Sequence, residues 1–266
     1  MPISSDPAID CVGITKEYRL GQELTLQRSL ARALRPWRAV PLQRFRALDD
    51  VTFTVPAGAF FGIVGPNGSG KSTLTQILSG ITVPSAGEAR VRGRVLPLLE
   101  VGAGFHDELT GREIVFLLGA IMGLSRQEIA TALPLILDMA GIEHHIDSPM
   151  KRYSSGMRAR LSFAAAMSFP ADIYVFDEVL AVVDDSFREQ CARELAGLSA
   201  AGRTILFMSH DLDLVVELCD LGLWLDRGTV RYVGEIEDVA AAYRSGTVPA
   251  VRAVSAAGRR GDGHAR

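Results

Sequence analysis

Residues 60–72 read FFGIVGPNGSGKS, an apolar run that ends in a glycine-rich loop, a lysine and a serine. The run from Phe60 to Gly65 is short, aromatic and β-branched, with little alternation. That pattern fits a strand buried on both faces of a largely parallel sheet. The residues that follow, TLTQILSG, carry helical spacing. Between them, Gly65 to Ser72 match G-x-x-x-x-G-K-[ST] at every specified position, in the strand-then-helix context the motif requires. Glycines let backbone N–H groups turn inward around a phosphate, and the helix N-terminus adds its positive end. Gly65, Pro66, Asn67, Gly68, Ser69, Gly70, Lys71, Ser72 and Thr73 are therefore the expected phosphate-binding residues. Lys71 is expected to reach the β- and γ-phosphates, and Ser72 to ligate Mg²⁺. The plainer alternative is a glycine-rich turn that binds nothing; motif and context together favour a nucleoside triphosphate site.

Two more apolar runs, IYVFDE at Ile173–Glu178 and TILFMSH at Thr204–His210, have the same character. Helical stretches such as FREQCARELAGLSAAG separate the runs, and this alternation predicts an α/β core of mainly parallel strands. A carboxylate at the end of the second run can hold Mg²⁺ through its water shell, which suits Asp177. Glu178 stands where a general base could polarise an attacking water. A D-E pair can also be a strand end meeting solvent, and its pairing with the glycine loop tips the reading toward catalysis. His210 stands where it can hydrogen-bond the γ-phosphate, although a lone His after a strand is more often a satisfied surface residue. Between Gly104 and Pro170 the period is mostly helical, so a helical subdomain is expected within the core, over about 104–170. Val51–Val55 and GEARVRGRV at Gly87–Val95 are expected to supply an antiparallel β subdomain.

The chain has 266 residues, net charge −3, 48% hydrophobic and 22% charged residues. It can bury a sizeable core. The charge balance offers no footprint for nucleic acid, and no nucleic-acid partner is expected. Cys11, Cys191 and Cys219 are odd in number and widely spaced, which suits reduced thiols. MPISSDPAID lacks the order of a signal peptide, and no run of about 18 uncharged apolar residues appears. A soluble intracellular chain is expected. From Gly246 onward the residues are small, polar or rich in Arg and Gly, predicting a disordered tail over 246–266. His144 and His145 lack the partners of a metal site.

YSSGMRARLSFAAAM, from Tyr153, poses a separate choice. Ser154 or Ser155 can cap the helix that follows, with Met157, Leu161 and Ala164 on one face. The same helix end can also be half of a second phosphate site. In isolation the stretch reads as a capped helix; its company decides. GPNGSGKST, YSSGM, IYVFDE, AVVDD and FMSH, in that order over Ile9–Arg244, resemble the ATP-binding subunit of an ABC transporter. That resemblance implies that YSSGM stands where LSGGQ usually stands and binds the γ-phosphate held by another subunit, through Ser154, Ser155 and Gly156. It implies a head-to-tail homodimer with two ATP molecules between the subunits. It assigns Tyr18, in KEYRL, to the aromatic that stacks on adenine, although a lone Tyr in a β region is as often core or surface. Asp184, in AVVDD, takes the place of the aspartate after the catalytic strand.

The likeness is closer to the ATPases that export polysaccharides such as O-antigen, capsule or teichoic acid. It rests on YSSGM, on LLEVGAGFHDELTGREI and on a long insert ahead of Val51. The glutamine usual near Glu100–Val101 is absent, and Glu100 is read as its substitute; Met157 replaces the signature glutamine. The resemblance implies two copies of a polysaccharide-exporter permease as partners, with peripheral placement on the cytoplasmic face of the bacterial inner membrane. One ATPase unit is expected over 1–245, with a basic insert over about 20–47. From Leu24 to Leu48 stand six arginines and no acidic residue. Leu26, Leu30, Leu34 and Trp37 share one helical face, fit for an anionic membrane surface or a lipid-pyrophosphate. A solvated helix is the alternative. The residues after Gly246 are too few for an added carbohydrate-binding sandwich of roughly 100 residues. Competing expectations are a soluble ABC-type ATPase acting on ribosomes or DNA, and a regulatory nucleotide switch. Two cassettes or a long coiled coil would mark the first, and Glu178 with His210 count against the second.

Overall fold

The computed structural model describes residues 6–20, 43–98, 107–177, 185–208 and 212–248. Two sheets organise it. The larger has strand order β5-β6-β7-β3-β8-β9, built from β3 (Phe60–Val64), β5 (Val95–Leu98), β6 (Ile173–Asp177), β7 (Thr204–Met208), β8 (Leu221–Asp226) and β9 (Thr229–Glu235). All neighbours are parallel except β8 and β9. The smaller is antiparallel, in order β2-β1-β4, from β1 (Ile9–Leu20), β2 (Gln43–Val55) and β4 (Ala86–Val91). The helices are α1 (Lys71–Leu78), α2 (Gly111–Ile121), α3 (Arg126–Ala140), α4 (Ser155–Ser168), α5 (Asp185–Ala200), α6 (Leu212–Leu218) and α7 (Ile236–Ser245).

The three apolar runs are buried strands, and β3 lies between β7 and β8 with all five residues buried. Because successive side chains point to opposite faces, adjacent residues of one strand enter different cores. Phe61, Ile63, Val175, Leu206 and Leu223 pack with α1 and the antiparallel sheet. Phe60, Phe176, Ile205, Phe207 and Trp224 pack with helices on the other side, where Phe163 meets Phe176 and Phe187. The expected α/β core with an antiparallel part is therefore present. The helical stretch is also present: α2, α3 and α4 pack into the second core.

Three boundaries differ from the sequence reading. GEARVRGRV does not stay in one sheet: β4 ends at Val91, and Val95 opens β5, which pairs in parallel with β6. The crossing happens at Gly93, with φ 110°, where a Cβ would press within 2.6 Å of the Asp172 side chain. Asp172 accepts from the Arg94 N–H at 2.8 Å and from Arg203 at 3.0 Å. The basic insert is also shorter than read. Gln43–Ala47 belong to β2, paired with β1 as far as Leu20. Arg44 and Arg46 both reach Glu17, at 3.4 and 3.0 Å, so two of the six arginines serve the strand pair; residues 21–42 lie outside the described residues. Finally, the β8–β9 hairpin escaped the reading, although alternation in LGLWLD and RYVGE flanks a two-residue turn at Arg227-Gly228, both at positive φ.

Two glycines set how closely helices approach the main sheet. Gly62 and Gly222 are paired across β3 and β8. A Cβ on Gly62 would lie 2.6 Å from Val215 of α6 and 3.0 Å from Ile236 of α7. Overpacking of this kind costs about 1–3 kcal/mol, so Gly62→Val is expected to lower the urea midpoint by at least that equivalent, while Gly197→Ala, on an exposed helix face with nothing within 4 Å of the added Cβ, is not.

Helices α2 and α3 open with capping boxes, Thr110 with Glu113 and Ser125 with Glu128. The Thr110 backbone N–H, then its hydroxyl, hold the Glu113 carboxyl below the ordinary glutamate range. The Ser125 side chain, then its backbone N–H, do the same for Glu128. A carboxyl whose folded pKa is depressed contributes stability above its unfolded pKa and loses it as pH falls through the folded value. The thermal midpoint is therefore expected to fall between about pH 5 and about pH 3, and Glu113→Gln with Glu128→Gln should flatten part of that slope in calorimetry.

Candidate nucleotide site

The phosphate-loop stretch leaves the main sheet beside β8. Val64 pairs with Trp224, so Gly65 comes against Leu225, and a side chain at Gly65 would overlap the Leu225 carbonyl and crowd Ser69 Oγ at 2.8 Å. The chain then turns outward: Pro66, Asn67 and Gly68 are exposed, and the Ser69 N–H donates to Pro66 O at 3.1 Å. Ser69 is buried again, and its carbonyl accepts from the Gly228 N–H at 2.8 Å. Gly228 O in turn accepts from the Asp49 N–H at 2.8 Å. The β8–β9 turn thus ties the loop to β2.

Gly70, at φ 110°, brings the chain into α1. No side chain caps that helix and its first turn holds no acidic residue. Its orphan N–H groups and positive end are therefore open to an anion. Lys71 is buried, and its ammonium donates to the carbonyls of Gly65 at 2.8 Å and Pro66 at 3.2 Å. Ser69 Oγ is buried without a hydrogen-bond partner, and a Cβ on Gly68 would meet nothing within 4 Å. A glycine-lined loop with a lysine folded into it, an orphan hydroxyl and an uncapped helix start fits the phosphates of a nucleotide. Ser72 is exposed and Thr73 half-buried at the same helix start.

The Thr75 hydroxyl joins α1 to β7 through Met208 Sδ, at 3.0 Å, and also lies 3.2 Å from Lys71 O within its own helix. Met208 pairs with Ile63 on one side and Asp177 on the other. The backbone of Asp177 is thus placed two strands from the loop, on the edge where β3, β6 and β7 all end. Glu178, Asp184, His210 and Glu100 lie outside the described residues. Among the described residues no group of three or more His, Cys, Asp or Glu could hold a metal ion.

Tyr153–Met157 opens α4. Ser154 is the N-cap, its Oγ accepting the Met157 N–H at 3.2 Å, and Tyr153 is buried with its hydroxyl donating to His145 O at 2.7 Å. Ser155 is exposed and starts the helix; a Cβ on Gly156 would meet only Ser154 Oγ, at 3.9 Å. Among the described residues nothing demands glycine there. Helices α1 and α4 pack on opposite faces of the main sheet, so the single chain does not unite the two phosphate-binding candidates. Tyr18 stands half-buried near the end of β1, with Lys16 Nζ 5.3 Å above its ring. Sequence reasoning missed the supports of this site, Leu225, Gly228 and Thr75, because each acts through a partner distant in sequence.

The ABC transporter family pattern matches residues 48–181. An ABC transporter protein, AbcA, of Aeromonas salmonicida is 42% identical over 90% of this chain and 76% of its own length. The O-antigen export system ATP-binding protein RfbB of Klebsiella pneumoniae is 34% identical over 90% of this chain and 98% of its own. The teichoic acids export ATP-binding protein TagH of Bacillus cereus is 40% identical over 75% of this chain but only 36% of its own length. Among solved structures, an ATP-binding subunit of an ABC transporter superposes with TM-score 0.69 at 22% identity, covering 91% of this chain and 95% of that one. A dimeric bacterial ABC transporter cassette gives TM-score 0.69 over 86% and 98%. A glycine loop seated between β3 and α1 on this fold, with relatives aligned along nine-tenths of the sequence, leaves one conclusion: the chain belongs to the ABC transporter family, as one of its ATPases.

Proposed function

We propose that this chain is the ATP-hydrolysing motor of an exporter that moves a lipid-linked polysaccharide, of O-antigen, capsule or teichoic-acid type, across the cytoplasmic membrane. The observation that carries the reading is the alignment with the Klebsiella O-antigen export ATPase along nearly that protein's whole length. One ATPase unit spans 1–245, with its helical part at about 104–170 and the tail after it. In this reading the subunit rests on the cytoplasmic face against two permease copies; no helix among the described residues is long and apolar enough to cross a membrane.

In this reading Gly65–Thr73 hold the phosphates, Lys71 neutralises β/γ charge, and Tyr18 carries the base. Ser72 and Asp177 would hold Mg²⁺, with Glu100 and Asp184 beside the nucleotide. When bound, the ion neutralises charge between the β- and γ-phosphates. Glu178 takes the proton of the attacking water, and His210 donates to the γ-phosphate. The placement of α1 and α4 on opposite faces supports a head-to-tail homodimer, in which Ser154, Ser155 and Gly156 of one chain meet the γ-phosphate on the other.

Deleting the chain's gene is expected to strip the cell surface of one polysaccharide and leave its lipid-linked form inside, read by surface staining and glycolipid extraction. Wild-type complementation should restore export and Glu178→Gln should not, although it still binds ATP. Unchanged surface glycan after deletion would remove the export role.

The dimer reading has its own test. Lys71→Ala in one chain and Gly156→Asp in the other break both sites of each homodimer; Gly156→Asp has room within its own chain, so its effect reports on a partner. With Glu178→Gln in both chains, a tagged mixed dimer collects both lesions in one site and should occlude about one ATP per dimer. A mixed dimer that forms and occludes none would sink the shared-site reading.

A further inference from the structure

We propose that Phe45 is a second base-binding residue of the nucleotide site, standing beside Tyr18 so that a planar purine rests on both rings. The inference deepens the ATPase reading above and rests on it. Phe45 and Tyr18 are direct Cα partners across β2 and β1. Directly paired residues share a face of the sheet. The next pair, Glu17 and Arg46, faces the other way and is joined by an ion pair at 3.0 Å. One residue is then bulged out, because Lys16 pairs with Leu48 and Ala47 is skipped.

The shared face is the one turned to the phosphate loop. Lys16, two residues before Tyr18, donates at 2.7 Å to Thr82 Oγ1 and at 2.7 Å to Val83 O, beyond the C-terminal end of α1, which puts this face on the α1 side of the sheet. Leu48, the partner of Lys16, lies 2.8 Å from where a Gly70 Cβ would stand, and Ala47 O lies 2.7 Å from that point. Strand β2 therefore passes the N-terminus of α1 at Ala47–Leu48, and Phe45 lies two residues, about 7 Å, further along. That is the order of separation between the phosphates and the base of a nucleotide. Lys16 covers one face of Tyr18, and in the proposal the base takes the other.

Phe45 is half exposed, at 50%, although it sits in a regular strand pair. One exposed apolar residue is ordinary. An exposed phenylalanine paired with the base-stacking tyrosine, on the loop side and one nucleotide length from the phosphates, has a ligand-shaped reason. Aromatic rings bind bases through stacking with little regard to their identity, so the pair would add affinity for purine nucleotides more than selectivity between them.

The test compares ATP with inorganic tripolyphosphate, which keeps the phosphates and lacks the base. Calorimetric titrations use the full chain with Glu178→Gln, which removes the general base, in the presence of Mg²⁺. Phe45→Ala is expected to weaken ATP about fivefold or more while leaving tripolyphosphate unchanged. Phe45→Trp should restore ATP affinity, which a fold defect would not allow. ATP bound by Phe45→Ala as tightly as by its parent overturns the proposal, as does an equal loss for both probes. If Tyr18→Ala weakens ATP and Phe45→Ala does not, the base site stands on Tyr18 alone and the proposal fails. If the parent binds neither probe, or Lys71→Ala costs nothing, the ATPase reading itself has failed and takes the proposal with it.

Discussion

The Leu225 carbonyl occupies the space that any side chain at Gly65 would need, and the nucleotide site depends on that contact. Because β8 runs directly beside β3, the chain must leave the sheet through a residue without a Cβ. It then bends over the β8–β9 turn, which holds Ser69 through Gly228 and reaches β2 through Asp49. Lys71 closes the arrangement from inside by donating back to Gly65 and Pro66. The loop is therefore built on three strands distant in sequence. In the proposed nucleotide site, a loop held this way would pay little further ordering cost on binding phosphate.

The main sheet also acts as a partition. Its strands alternate side chains between two cores, one holding α1 and the antiparallel sheet, the other holding α2 and α4. The phosphate loop and YSSGM therefore belong to different sides of one wall. Within α4 the capping need is met locally by Ser154. The exposed Ser155 and the roomy Gly156 serve no packing purpose among the described residues. Ion pairs fasten the start of the helical layer to this helix and the turn before it: Asp107 to Arg158 of α4 at 3.1 Å and Glu108 to Lys151, just ahead of α4, at 2.8 Å. Each is exposed on one side or both and contributes little alone. Their value lies in keeping the segment before α2 in register with the start of α4.

The three cysteines follow from burial. All three are buried and none forms a disulfide. Burial, with Asp10 nearby, pushes the Cys11 thiol up to about 12, and burial pushes Cys219 up as well, with Asp220 adding to it. Thiols so disfavoured as thiolates behave as small apolar groups. Their odd number reflects packing.

What the sequence determined by itself is local chemistry. The spacing of Gly65, Gly70, Lys71 and Ser72 needs only its own strand and helix to be read. The apolar runs at Phe60, Ile173 and Thr204 declare burial on both faces, and Ser154 caps α4 through a neighbour three residues away. The tertiary structure decided what depends on distant register. It sent Gly87–Val91 and Val95 to different sheets, because Asp172 anchors the chain beyond Gly93. It recovered Arg44 and Arg46 from a supposed insert by pairing them with Glu17. It set Phe45 opposite Tyr18, since a bulge at Ala47 chooses which β2 side chains face the loop. Strand register is a relation between segments, and a one-residue slip turns every side chain over; no single stretch of sequence contains that information.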